Sequence, residues 1–186
     1  MHIARENYIQ ALEDRMNNGL IKVVTGIRRC GKSYLLFTLF YEFLKNSGIT
    51  DDCIIKIALD DDLNEALREP AALSAHIRSL VTDAAKRYYI LLDEIQFAIS
   101  DEEYSHPERS IKIYSVLNGL LHLPNVDIYV TGSNSKFLSK DLLTEFRGRG
   151  VRRGAGFCPA VRLAEITEFA LAHALTLKMR YKETTC

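Results

Sequence analysis

The feature that most limits the possible folds of this chain is a short glycine-bearing segment. Two apolar stretches of different periodicity flank it. The segment runs from Gly26 through four residues to Gly31-Lys32-Ser33. The β-branched run 20–24 before it predicts a strand. The stretch 35–44 after it repeats apolar residues at helical spacing, and Gly48 supplies a stop signal. A strand, a turn with this glycine spacing and a helix are typical of loops that bind nucleotide phosphates.

The residue types in this segment suit polyphosphate chemistry. Glycine allows close approach and positive φ, so backbone N–H groups can line a phosphate, and the helix N-terminus adds partial positive charge. Lys32 would reach the β- and γ-phosphates, and the Ser33 hydroxyl would ligate Mg²⁺. A chance match in an ordinary strand–turn–helix unit is the alternative. The predicted nucleotide-binding residues are Gly26, Ile27, Arg28, Arg29, Cys30, Gly31, Lys32 and Ser33.

Two acidic residues end a second apolar run. The continuous apolar segment 88–92 predicts a buried parallel strand, and Asp93-Glu94 follow directly. Ligands of open α/β sheets gather at the carboxyl ends of the strands. Asp93 is therefore placed to hold Mg²⁺, and Glu94 to orient and deprotonate an attacking water. The alternative, a surface strand that ends in two acids, does not explain the order of the two motifs.

A third apolar strand, predicted at 126–130, leads into a polar cluster. Asn134 in this cluster is placed to hydrogen-bond a γ-phosphate or the attacking water. Alternatively, Ser133 and Asn134 cap the helix that is predicted to start near Ser135.

A basic segment follows that helix and contains Arg147 and Arg149, with Arg152-Arg153 after them. One interpretation is a nucleic-acid patch, although no aromatic platform accompanies it. The other is an arginine that reaches a nucleotide across a subunit interface and stabilises transition-state charge.

The remaining patterns complete an α/β fold. Helices are predicted over 5–17, 70–86 and 111–121, and the acidic segment 101–108 is predicted to be an exposed loop. Asp60-Asp61-Asp62 indicates a solvated turn and helix start rather than a metal site. The fold class is a three-layer α/β sandwich with a mostly parallel sheet and helices on both faces. Its strands are expected near 21–25, 53–59, 88–92 and 126–130, with a fifth near 151–158.

The composition narrows the class of protein. Lysine plus arginine and aspartate plus glutamate both number 24, so the net charge of zero gives no overall electrostatic case for binding nucleic acid or an anionic membrane. No apolar run approaches the length of a membrane span, and the N-terminus lacks the apolar core of a signal peptide, so we expect a cytoplasmic protein. The four cysteines are not at metal-ligand spacing.

From about residue 5 to Gly150, the chain resembles the predicted-ATPase family of bacteria and archaea with an AAA-type domain, within the AAA+ superfamily. Four blocks carry the resemblance: 21–33, 91–96, 126–138 and 146–150. The resemblance implies an AAA-like P-loop NTPase fold, a Walker A motif at 26–33, a Walker B motif at Asp93-Glu94 and a sensor-1 residue at or beside Asn134. It also implies ATP and Mg²⁺ as ligands, and a homo-oligomer in which Arg147 or Arg149 serves as an arginine finger.

The resemblance fails after Gly150. Members of the family continue with a strand and a Pro-Leu-Ser-Phe-x-Glu-Phe-like segment, of which 165–169 is at best a remnant. We therefore expect an ATPase domain at 1–150 and a divergent segment at 151–186 that reflects truncation or a frameshift. Loss of the last strand would leave the sheet with an exposed edge.

The expected function is Mg²⁺-dependent binding and hydrolysis of ATP. Two alternatives stay open: a nucleotide-gated interaction module with little turnover, and a P-loop kinase that phosphorylates a small molecule. GTP specificity is disfavoured, because the sequence contains no Asn-Lys-x-Asp motif. The protein or nucleic-acid partner is not indicated.

Overall fold

A five-stranded sheet organises the computed structural model, which describes residues 6–26, 28–106 and 111–132 and the backbone of 163–166. Its neighbouring strands are all parallel, and their spatial order is β2-β3-β4-β1-β5. The strands are β1 (Ile21–Thr25), β2 (Ile54–Ala58), β3 (Tyr88–Asp93), β4 (Val126–Gly132) and β5 (Leu163–Ile166).

Helices connect the strands. They are α1 (Glu6–Glu13), α2 (an α-helical turn Lys32–Tyr34, a π-helical segment Leu35–Phe40 and an α-helical segment Tyr41–Asn46), α3 (Pro70–Leu80), α4 (Asp101–Ser105) and α5 (Lys112–Leu120). Short 3₁₀ helices lie at Asp51–Cys53, Asp62–Arg68 and Ile95–Ala98.

Apolar side chains cover both faces of the sheet, as expected for parallel strands. Every residue of β1, β3 and β4 is buried. One face packs with α3 and α5, through residues such as Ile77 and Leu117. The other packs with α1 and α2, where the rings of Phe40 and Tyr129 lie 4.6 Å apart. The predicted three-layer sandwich is therefore confirmed.

Glycine ends α2 where the sequence predicted a stop. Gly48 has φ 86°, its N–H donates to the Lys45 carbonyl at 3.0 Å, and the Ile49 N–H donates to the Leu44 carbonyl at 3.1 Å. This pair of bonds is the Schellman motif, which satisfies carbonyl groups that a helix end leaves without partners.

Two local predictions need correction, and a third is confirmed. Helix α3 ends at Leu80 rather than near 86, and the Asp83 N–H beyond it donates to the Tyr88 hydroxyl at 3.1 Å. The acidic segment predicted as a loop forms α4, because Ser100 and Glu103 make a reciprocal capping box. Asp61, in contrast, caps a 3₁₀ helix as predicted, by accepting the Leu63 N–H at 2.9 Å.

The fifth strand differs from the expectation. The strand predicted near 151–158 lies outside the described residues, whereas β5 pairs in parallel with β1 from Ile21↔Leu163 to Val24↔Ile166. β5 thus covers the side of β1 that faces away from β4, and β2 and β5 form the two edges of the described sheet.

Candidate nucleotide-binding site

The glycine-bearing loop forms a tight turn between β1 and α2. Gly26 is buried at the end of β1, and Gly31 adopts φ 90° immediately before the first helical residue. A side chain at Gly31 would be strained at this φ, which explains the glycine of the motif. Arg29 also has a positive φ of 64°. A left-handed residue followed by a helical one, as at Gly31 and Lys32, is a backbone pattern found in anion-binding nests.

Lys32 lies within this turn. Its side chain is only 5% exposed, and its Nζ donates to the Gly26 carbonyl at 3.1 Å. The ammonium group therefore lies beside the first residue of the loop, and an ammonium group is suited to binding phosphate oxygens. Ser33, on the next position of the helix, is exposed, and Cys30 is half-buried.

The two acids of the second motif stand at the same edge of the sheet. Strand β4 lies between β1 and β3, with Val24 paired to Thr131 and Leu92 paired to Val130. Asp93 is therefore level with Thr131 and Val24, two strand spacings or about 10 Å from the strand that enters the loop. Asp93 is 3% exposed.

Thr131 links the two acids, and the sequence analysis missed it. Its hydroxyl is completely buried and donates to the Asp93 carboxylate. The same oxygen accepts the Glu94 N–H at 3.0 Å. A threonine at the end of an apolar strand is common because of its β-propensity. Only its place beside the predicted polar cluster indicated a role in the site.

Glu94 has an unusual backbone. Its φ and ψ are 51° and 54°, a left-handed conformation that non-glycine residues seldom adopt. Its carboxylate accepts a hydrogen bond from the Gln96 side-chain amide, and its carbonyl accepts the Phe97 N–H at 3.0 Å. The strand thus ends abruptly at Asp93, and Glu94 starts a turn in a different direction.

Several predicted site residues fall outside the described part of the chain. These residues are Ile27, Asn134, Arg147 and Arg149. Their predicted roles remain predictions.

The donors at this edge fit a nucleotide-bound Mg²⁺. Magnesium prefers oxygen ligands and is commonly held by one or two protein groups together with phosphates and water. Ser33 offers a hydroxyl and Asp93 a carboxylate. Within the described residues, no three His, Cys, Asp or Glu side chains are grouped to hold a metal ion by themselves.

A second buried polar cluster lies near the opposite end of the strands and was not predicted. The Lys22 ammonium pairs with the Asp127 carboxylate, and the two side chains are 0% and 1% exposed. The other Asp127 oxygen accepts the Tyr129 hydroxyl at 2.8 Å and the Asn17 N–H at 2.9 Å. Burial lowers the pKa of Lys22, against the hydrogen bond and charge of Asp127, and raises the pKa of Tyr129. The sequence offered one signal of this buried pair: Lys22 and Asp127 carry opposite charges, and each lies near the start of an apolar run.

Comparison with known proteins places this chain in a family. The family model described as "AAA domain" matches residues 18–154. A protein of Haemophilus influenzae named only "Uncharacterized protein" is 31% identical over 149 residues, which are 80% of this chain and 34% of that protein. Uncharacterized protein MJ1544 of Methanocaldococcus jannaschii is 30% identical over 145 residues, 76% of this chain and 27% of that protein. The chain thus spans about a third of the length of these relatives.

Solved structures give weaker similarity. Caenorhabditis elegans PCH-2 aligns with a TM-score of 0.49 at 17% identity, over 74% of this chain and 38% of that one. A structure titled as a DNA replication initiation factor aligns with a TM-score of 0.48 at 19% identity, over 98% of this chain and 52% of that one. No helix in the described part of this chain combines the length and hydropathy of a membrane span.

Proposed function

Because this chain belongs to the AAA domain family, we propose that it binds ATP with Mg²⁺ and hydrolyses it to ADP and phosphate. One observation carries the proposal. The turn that holds Lys32 follows β1, and the acids Asp93 and Glu94 stand at the end of β3. Both lie at the carboxyl ends of strands in one parallel sheet, with only β4 between them. Nucleotide phosphates bind at such edges, beside a helix N-terminus.

Each residue has a distinct role in the proposed reaction. The N–H groups of the loop and the Lys32 ammonium bind the β- and γ-phosphates, which neutralises charge on the leaving group. Ser33 and Asp93 would hold Mg²⁺, which polarises the phosphoryl oxygens when bound. Glu94 accepts the proton of the attacking water. Asn134 would orient that water, and Arg147 or Arg149 would act from a neighbouring subunit of a homo-oligomer.

A nucleotide-gated interaction module is the second candidate, and one contact favours it. The Gln96 amide donates to the Glu94 carboxylate, and this bond occupies an oxygen that would otherwise accept the proton of water. Hydrolysis would then be slow until a partner or a second subunit displaced Gln96. Among the described residues, no comparable contact favours the third alternative, a P-loop kinase.

Nucleotide binding and turnover are tested separately. Calorimetric titration with ATP measures affinity for the parent and for Lys32→Ala, and phosphate release measured at several protein concentrations reports turnover. The proposal predicts binding that Lys32→Ala weakens. A rate per chain that rises with concentration would support an arginine supplied by another subunit. Unchanged ATP affinity in Lys32→Ala would refute the assigned loop.

The whole-protein activity is a separate proposal. Since the relatives are about three times as long as the matched region, the energy of ATP would be used by parts that lie outside the region of similarity. We also propose a cytoplasmic location.

A further inference from the structure

The buried hydroxyl of Thr131 stands between the two acids of the candidate site. It makes two hydrogen bonds, one donated to Asp93 and one accepted from the Glu94 N–H. A hydroxyl has a single proton, and here that proton goes to Asp93. The residue is 0% exposed, so water does not compete for either bond.

The first bond selects which oxygen of Asp93 can serve a metal. A carboxylate has two oxygens, and Thr131 engages Oδ1. This bond restricts rotation of the carboxylate, and Oδ2, which Thr131 does not engage, would meet a metal ion or its water shell. Groups that hydrogen-bond a metal ligand in this way typically change metal affinity by 10- to 100-fold when they are lost.

The second bond holds the start of the turn at Glu94. The left-handed conformation is unfavourable for a residue that carries a Cβ atom, so neighbouring contacts must hold it. The Glu94 N–H reaches Thr131 on the adjacent strand at 3.0 Å. The direction in which the Glu94 side chain leaves the backbone therefore depends on the same hydroxyl that orients Asp93.

We propose that Thr131 is a positioning residue, which couples the orientation of the metal ligand Asp93 to that of the base Glu94. The inference rests on the proposed function. Thr131 itself touches neither nucleotide nor metal in this account. Its register partner on β1 is Val24, two residues before the loop, so it joins the strand of the phosphate loop to the strand of the acids.

Three variants separate this role from simple core packing. Thr131→Val keeps the volume and removes the hydroxyl, Thr131→Ser keeps the hydroxyl and loses a methyl group, and Thr131→Cys keeps a weak donor. Electron paramagnetic resonance with Mn²⁺ and ADP measures metal affinity without turnover. ATP affinity in EDTA measures the loop alone.

We expect the parent to bind Mn²⁺ most tightly, followed by Thr131→Ser, Thr131→Cys and Thr131→Val. Thr131→Val should bind Mn²⁺ about 10- to 100-fold more weakly than the parent. ATP affinity in EDTA should stay the same in all four proteins. Equal Mn²⁺ affinity of the Ser and Val variants would overturn the inference, as would a parallel loss of ATP affinity in EDTA. If Thr131→Val does not fold, the Ser and Cys variants decide, and equal affinity again counts against it. A parent that binds no Mn²⁺·ADP would instead refute the proposed function.

Discussion

Replacing Asp127 by Asn should destabilise the fold strongly, because it leaves Lys22 charged inside the sheet. Lys22 and Asp127 are 0% and 1% exposed, and Asp127 accepts hydrogen bonds from three groups. An Asn carbonyl can still accept from Tyr129 or Asn17, so the main loss is the charge that compensates Lys22. Breaking a buried pair in this way costs about 3–5 kcal/mol, a large share of the about 5–15 kcal/mol that stabilises a domain.

The double variant Lys22→Met with Asp127→Asn isolates the charge. Met fills a similar volume without a charge, so the double variant should recover much of the loss, as buried pairs replaced by apolar groups often do. Urea unfolding followed by circular dichroism gives the free energy of unfolding for the parent, both single variants and the double variant. If the double variant is as unstable as the sum of the two singles, the uncompensated charge is not the cause, and the reasoning is refuted.

Four further outcomes follow from individual contacts. Lys32→Ala should weaken ATP binding about 10- to 150-fold, because it removes a charged hydrogen bond worth about 1.5–3 kcal/mol. Calorimetry measures the ATP affinity, and Lys86→Ala, at a distant exposed site, is the matched control. Gln96→Ala should raise the rate of phosphate release if the amide restrains Glu94, and a lower rate would contradict that restraint. Phe40→Ala should cost about 3–5 kcal/mol in urea unfolding, because Phe40 is 0% exposed and packs on Tyr129, whereas Tyr34→Ala at an exposed position should change little. The Lys86 hydrogen bond lowers the pKa of Asp52 from 3.8 to about 2. This carboxylate therefore stabilises the fold above pH 3.8, and the stabilisation is lost as pH falls toward 2. Carbon-13 titration of Asp52 should show its midpoint return toward 3.8 in Lys86→Met.

The sequence was sufficient for the strands and for the motif loop, since both depend on local patterns. Continuous apolar runs placed β1 to β4 within one or two residues, and the glycine spacing located the turn at Gly31. Helix ends were less certain. The pattern behind α3 carried no glycine or proline stop near 80, and the hydroxyl of Tyr88 contributed to the ending from outside the helix. Ser100 and Glu103 match the capping-box pattern, but the run of acids around them favoured an exposed loop.

Contacts between strands that are far apart in the sequence were harder to predict. The bond from Thr131 to Asp93 and the pair of Lys22 with Asp127 depend on β4 lying next to both β1 and β3. That adjacency follows from the fold, not from any local pattern. β5 also pairs with β1 from far along the chain, so its place in the sheet is likewise not visible in a local pattern.

Single-turnover phosphate release by the Glu94→Gln variant tests the central claim most directly. The parent should release phosphate from ATP when Mg²⁺ is present and not in EDTA. Glu94→Gln should bind ATP as tightly as the parent and release phosphate about 10²- to 10⁴-fold more slowly, the usual contribution of a general base. Phosphate release by the variant at the rate of the parent, or no Mg²⁺·ATP binding by either protein, would contradict the account.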